Sequence, residues 1–150
     1  MYLDSISVGN TRIVDNFEFY QNNKSLIDVP GGFKRNVYGG SISFTAGDTE
    51  KNGGSNGLAV TYDVGSIGSA GAIRAFGNNT LNWSGVDAIR FWIKPDGTNN
   101  TVTIQFREKP EGNDISSETW EAGYLLSGTD EQLATIPLSE FARPGWYAAC

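Results

Sequence analysis

The sequence predicts an all-β chain folded as a β-sandwich, and three observations carry that reading. Strand-like runs recur about eight or nine times, at a spacing of roughly ten residues, with turn residues between them. No segment of helical length places apolar residues at i, i+3, i+4 and i+7. The composition, with 19 glycines and 18 aromatics in 150 residues (4 Trp, 6 Tyr, 8 Phe), suits short extended elements joined by tight turns.

Taken in order, residues 2–8 (YLDSISV) alternate well enough for a strand, and Gly9-Asn10 ends it. TRIVDNFEF (11–19) follows as a second strand, and QNNKSLIDVPGG (21–32), polar and closed by Pro30-Gly31-Gly32, reads as a loop. VYGGSISFTAG (37–47) and GLAVTYDVG (57–65) are strands separated by DTEKNGGSN, which is too hydrophilic and glycine-rich to be an element. AGAIRAFG (70–77), ETWEAGYLL (118–126) and LATIPLSEF (133–141) complete the set. Pro137 inside the last run implies an edge position or a strand break, because proline offers no amide to a ladder.

The most regular stretch runs from Trp83 to Lys109 and reads as two adjacent strands around the turn Asp96-Gly97-Thr98-Asn99-Asn100. In the first flank Ile89, Phe91 and Ile93 oppose Arg90, Trp92 and Lys94; in the second, Val102, Ile104 and Phe106 oppose Thr103, Gln105 and Arg107. Alternate side chains leave a strand on opposite faces, so each flank has one face for a core and one of mixed aromatic and polar character. Trp92, Gln105 and Arg107 are thereby expected to share the outward side of neighbouring strands.

Composition narrows the chemistry. The length suits a single domain able to bury a core. Seventeen acidic against 11 basic residues give a net charge of −6, and with no basic run nucleic acid is excluded as a partner. No apolar run is long enough for a membrane span, and the start, MYLDSISVGN, lacks the pattern of a signal peptide. The lone Cys150 forms no internal disulfide. Histidine is absent, which removes the commonest general base and the imidazole-assisted nucleophiles.

Glu118 and Glu121 flank Trp120 but leave a strand on opposite faces, so they read as a charged rim, not as a glycosidase pair. A hard cation is more plausible: Asp48, Glu50 and their neighbours form an oxygen-rich loop, which Asp4 and Glu18 join if the first two strands are neighbours. Solvated acids remain the alternative. Aromatics decide more, because sugar rings present C–H faces that stack on Trp and Tyr while their hydroxyls seek planar polar partners. Trp92, Gln105 and Arg107 fit that description, and Glu121 joins them if its strand continues the sheet. Trp120 is ambiguous by face, Trp83 reads as a plug at the end of the sandwich, and Tyr62 shares its side with Leu58 and Val60. Trp146 and Tyr147, in a loop after Arg143-Pro144-Gly145, fit ligand contact, since exposed aromatics there are costly unless used.

At these residues the chain resembles the carbohydrate-binding modules of bacterial plant-cell-wall hydrolases, above all the family 11 modules and related ones attached to β-mannanases and endoglucanases. The matching segments are VDNFE (14–18), NGLAVTY (56–62), WSGVDAIRFWIKPDG (83–97), TIQFREK (103–109), ETWE (118–121) and TIPLSEF (135–141), in the family's order. The resemblance implies a jelly-roll β-sandwich of two antiparallel sheets and a concave face for a β-linked glucan or mannan chain. It also implies no catalysis, an extracellular, secreted setting and an appended glycoside hydrolase as covalent partner. It implies a structural Ca2+ as well, with Glu18 matching the acid of the first strand, Asp4 that of the last strand, and the Asp48–Glu50 loop supplying further oxygens. The last strand of the family stands here at the front, in residues 2–8, as a displaced strand or the remnant of a preceding module. A penultimate strand expected after Trp146 and Tyr147 is missing. Tyr147 matches a cleft tyrosine, whereas another cleft tyrosine, near Ser69-Ala70, has no aromatic counterpart. The second reading, from a different class, is an adhesive β-sandwich whose outward aromatics mediate protein contacts.

Overall fold

The structure is a computed structural model that describes residues 1–9, 12–18, 26–28, 32–47, 55–66, 68–74, 83–108 and 118–145. It is almost entirely β: β1 (Tyr2–Val8), β2 (Arg12–Asp15), β3 (Lys34–Arg35), β4 (Ser41–Gly47), β5 (Gly57–Asp63), β6 (Ala72–Ile73), β7 (Ala88–Lys94), β8 (Thr101–Glu108), β9 (Glu118–Leu125) and β10 (Gln132–Pro137), followed by one 3-10 turn, Leu138–Glu140. Every strand pair is antiparallel. The β-sandwich expected from strand spacing is what the chain adopts.

One layer is a continuous sheet in the order β10-β7-β1-β5-β4, with β2 paired to the far half of β1. The other layer consists of two ribbons, β8-β9 and β3-β6. The alternating sequences explain the stacking. Ile89, Phe91 and Ile93 of β7 and Ala134 and Ile136 of β10 are buried against the inward faces of β8 and β9, which contribute Val102, Ile104, Phe106, Ala122 and Tyr124. Phe44 and Ala46 of β4 and Leu58 and Val60 of β5 form a second cluster, capped by Phe33 and Ala72 of the β3-β6 ribbon. Phe33 meets Phe44 edge to face at 4.7 Å, a favoured aromatic geometry. Leu3 and Ile6 of β1 pack against both clusters, so β1 is the seam between the two halves of the core.

β1 changes partner along its length. Tyr2 and Leu3 pair with Ala59 and Leu58 of β5, whereas Ile6, Ser7 and Val8 pair with β2. Ser5, at φ 47°, sits between those halves, where the register with β7 also shifts from Asp4 to Ser7. A bulge of this kind adds a residue and bends the strand, which lets one strand serve two collinear neighbours.

Several expectations are corrected. β7 and β8 are not neighbours: the turn after β7 carries the chain into the opposite layer, where, among the described residues, β8 pairs only with β9. The run 70–77 yields only the two-residue β6, residues 75–77 lying outside the described residues. Within 21–32, expected to be loop, Leu26 and Ile27 are buried in the second cluster. Pro137 is the last residue of β10, which is an edge strand, after which the chain turns into the 3-10 segment. Trp83 closes the end of the first cluster, edge-on to Phe106 at 4.7 Å.

Candidate functional site

The register of β8 against β9 sorts their side chains. Ile104, Phe106, Ala122 and Tyr124 point into the core, so Thr103, Gln105, Arg107 and Glu121 occupy the outward face. Gln105 stands directly opposite Glu121. Its Nε2 donates to Glu121 Oε2 at 2.8 Å, and Arg107 Nη2 donates to Gln105 Oε1 at 3.4 Å. The result is an exposed ladder of a guanidinium, an amide and a carboxylate with donors and lone pairs left over, chemistry suited to several hydroxyls in a row. The structure thus brings together three of the residues expected from sequence.

Trp92, expected beside them, is elsewhere, and so is Trp120, whose face the sequence left open. Trp92 lies on the outer face of the six-stranded sheet, opposite Asp4 of β1 and Leu133 of β10, and hence on the other side of the sandwich from Gln105 and Arg107. The reason is the layer change between β7 and β8: alternation reports which side of its own strand a residue takes, not which sheet the strand joins. Trp120 pairs with Phe106 and shares its inward side. Half-buried, it lies under the Arg143 guanidinium, 5.4 Å from the ring centre, while Arg143 Nη2 donates to Glu118 Oε1 at 2.7 Å. Trp120 is therefore a packing residue of the β9 edge. Glu118 and Glu121 lie on opposite faces and form no cleft pair.

Beside this edge, Glu121 and Ala142 exchange both backbone hydrogen bonds, at 2.8 and 3.0 Å. That bridge holds the segment leading to Trp146 and Tyr147, which lie outside the described residues.

The second ribbon contributes a residue that sequence reasoning missed. Beyond β3 the chain continues alongside residues 69–71: Asn36 N donates to Gly71 O, and Tyr38 and Ser69 exchange bonds of 3.0 and 2.7 Å. Since Phe33 and Ala72 face the core, the alternate positions Lys34, Asn36 and Tyr38 face out. Tyr38 is 72 % exposed, high for a residue whose backbone is so firmly tied. It faces the same side as the Gln105, Arg107 and Glu121 ladder, since both ribbons cover the same inner face of the large sheet. The one signal in the sequence was an aromatic directly before Gly39-Gly40.

A hollow of about 360 Å³ lies elsewhere, lined by Tyr62, Asp63, Asp96, Thr98 and Asn100 among others. Tyr62, Thr98 and Asp96 bond to one another there: Tyr62 Oη donates to Asp96 Oδ2 at 2.6 Å, and the Thr98 hydroxyl and amide both donate to Asp96 Oδ1, at 2.7 and 3.1 Å. Burial raises the Asp96 pKa, but the bonds from Tyr62 and Thr98 outweigh it and hold the carboxyl below its ordinary value. This network ties the β7–β8 crossover to β5.

For a cation, β1 pairs Leu3 with Leu58 and Ile6 with Asp15, so Asp4 lies where the end of β2 meets the start of β5. Glu18 belongs to the same junction, both its oxygens accepting Ser55 N at 2.9 Å and Oε1 also accepting Asn56 N at 3.0 Å. Asp4 is only 3 % exposed. Two hard carboxylates fit part of a calcium shell, which needs six to eight oxygens. Among the described residues no three acidic, His or Cys side chains converge, and Asp48 and Glu50 lie outside them.

The chain is a two-layer β-sandwich that presents an exposed tyrosine and a polar ladder on one outer surface. A family model described as a carbohydrate binding domain (family 11) matches residues 6–147, nearly the whole chain. The chain belongs to the family 11 carbohydrate-binding modules, and membership implies that it binds carbohydrate; such modules are generally non-catalytic. No curated protein and no solved structure matches the chain.

Proposed function

We propose that this chain is a non-catalytic targeting module that holds a single β-1,4-linked glucan or mannan chain along the outer surface of the two ribbons and keeps an appended, secreted glycoside hydrolase on its substrate. The observation that carries the reading is the shared orientation of the Tyr38 ring and the Gln105, Arg107 and Glu121 ladder. A pyranose stacks its C–H face on the ring, and its neighbours along the chain hydrogen-bond to the ladder. Tyr38, bonded to Ser69, lies beside the position near Ser69-Ala70 where the resembled family carries a cleft tyrosine and this chain has no aromatic of its own. Trp146 and Tyr147, expected from the sequence to contact ligand, follow the segment anchored at Glu121 in the chain and lie outside the described residues. Platforms already in place bind stiff sugars at little ordering cost, and a shallow polar surface limits affinity to the micromolar range.

The test is native affinity electrophoresis in gels containing β-glucan, β-mannan or xyloglucan. The double substitution Gln105→Ala/Arg107→Ala lowers affinity by about tenfold or more, the equivalent of roughly 1.4 kcal/mol, and Tyr38→Ala by a similar factor. Retardation unchanged by all of these substitutions refutes the site. A wild-type chain retarded by no glycan supports instead an adhesive sandwich that contacts proteins.

A further inference from the structure

The face on the far side of the molecule has chemistry of its own. Trp92 is half-buried on β7, the strand next to the edge strand β10 of the six-stranded sheet. Leu133, directly opposite on β10, is 49 % exposed and extends the apolar strip. On the β1 side, Tyr2 stands opposite Lys94, and Asp4 opposite Trp92. A crevice of about 10 Å³ opens there, lined by Tyr2, Asp4, Trp92, Lys94 and Glu131. That space holds about one water molecule or one hydroxyl group. Two aromatic rings thus flank a notch the size of a hydroxyl, with a buried carboxylate among its lining groups and a cation and a second carboxylate beside it. Two residues back along β7, Arg90 forms an ion pair of 2.9 Å with Asp87 on the surface.

We propose that the Trp92 face is a second carbohydrate platform, independent of the ribbon surface, so that one chain carries glycan-binding surfaces on opposite sides of the sandwich. The ligand is a β-linked hexopyranose chain: one ring stacks on Trp92 and Leu133, and one of its hydroxyl or hydroxymethyl groups enters the notch in place of a water. A protein partner fits less well, because the core of a protein interface is depleted of charge, whereas Trp92 here is ringed by Arg90, Lys94 and Glu131. A sugar, with a hydroxyl on nearly every carbon, uses such a rim. The inference rests on the carbohydrate-binding reading for its ligand class but not on the ladder for its site.

The experiment is isothermal titration with β-1,4-linked gluco- and mannohexaose, together with the turbidity of a soluble β-1,4-linked polysaccharide on adding the module. The wild type binds about two oligosaccharides per chain and clouds the polysaccharide by bridging its strands. Trp92→Ala binds about one and no longer bridges; Leu133→Ser, at an exposed position that tolerates the change, weakens the second event several-fold. Gln105→Ala/Arg107→Ala also binds about one, at the Trp92 face. If the wild type binds a single oligosaccharide and the ladder substitution abolishes it, the second platform is overturned and the ribbon surface stands. If Trp92→Ala and Leu133→Ser abolish all binding while the ladder substitution changes nothing, the ribbon surface falls and the Trp92 face remains. Unchanged stoichiometry and turbidity in both Trp92→Ala and Leu133→Ser also overturn the proposal.

Discussion

Tyr38 owes its exposure to glycines. A Cβ on Gly68 would stand 2.2 Å from the Tyr38 carbonyl oxygen and 2.6 Å from that of Val64, distances no side chain tolerates, so the backbone of residue 68 closes against the tyrosine's own. Gly68→Ala must push these segments apart. The expected result is a melting temperature lower by several degrees, as a cost of one or two kcal/mol implies for a chain of this size, together with weakened glycan retention. Tyr38→Ala, which removes an exposed ring, lowers retention with little change in melting temperature. Thermal melts of the two variants beside their electrophoretic mobility separate ring from scaffold. Tyr38 was hard to find in the sequence because Gly39-Gly40 interrupts alternation on one side and β3 is two residues long. Gln105, Arg107 and Glu121 were legible because eight consecutive residue pairs between β8 and β9 keep strict alternation.

At the scale of the element, the crossover from β7 to β8 decides which surfaces exist. Five polar residues after a strand suit a tight hairpin as well as a step between layers, and both flanks alternate identically in either case. What settles the matter is non-local: the bond between Tyr62 and Asp96 spans 34 positions, and Asn99 N and Leu126 N are bonded across the turn to Leu126 O and Asn100 O. Local pattern therefore assigned faces correctly and sheets wrongly, which is why Trp92 was placed with Gln105 and Arg107. Asp96 also makes the crossover sensitive to acid. Its folded pKa lies below the ordinary carboxylate value, so its contribution is present above about pH 4 and is lost as pH falls through the folded value. Asp96→Asn is expected to lower stability at pH 7 by about 1–2 kcal/mol and to narrow the loss between pH 7 and pH 3. Urea unfolding at the two pH values measures that gap, and an undiminished gap in Asp96→Asn places the acid sensitivity elsewhere.

For the whole molecule, strand spacing and the lack of helical periodicity were enough to give a sandwich, because burying alternating faces leaves few other solutions. The position of β1 was not legible from pattern, since alternation does not say where in a sheet a strand is inserted. Its insertion next to both β2 and β5 creates the junction beside which Asp4 and Glu18 lie. We propose that a calcium ion held there, with Asp48 and Glu50 as further ligands, joins the two halves of the sheet. Chelation by EGTA is then expected to lower the melting temperature, with recovery on adding calcium but not magnesium, whose smaller octahedral shell fits such a site poorly. Asp4→Asn should reduce the calcium-dependent part of that shift, and a melting temperature indifferent to both metal and chelator removes calcium from the account.

The seam strand has a last consequence, for the order in which the chain assembles. Tyr2 pairs with Ala59 and Lys94, contacts that span more than a third and more than half of the sequence. β1 thus lacks its β7 partner until residue 94 has been made, although β2 follows it directly. Closing loops of that length places such a topology among slow folders, and until then an alternating strand with its β7 edge open depends on the rest of the chain to arrive before another molecule does.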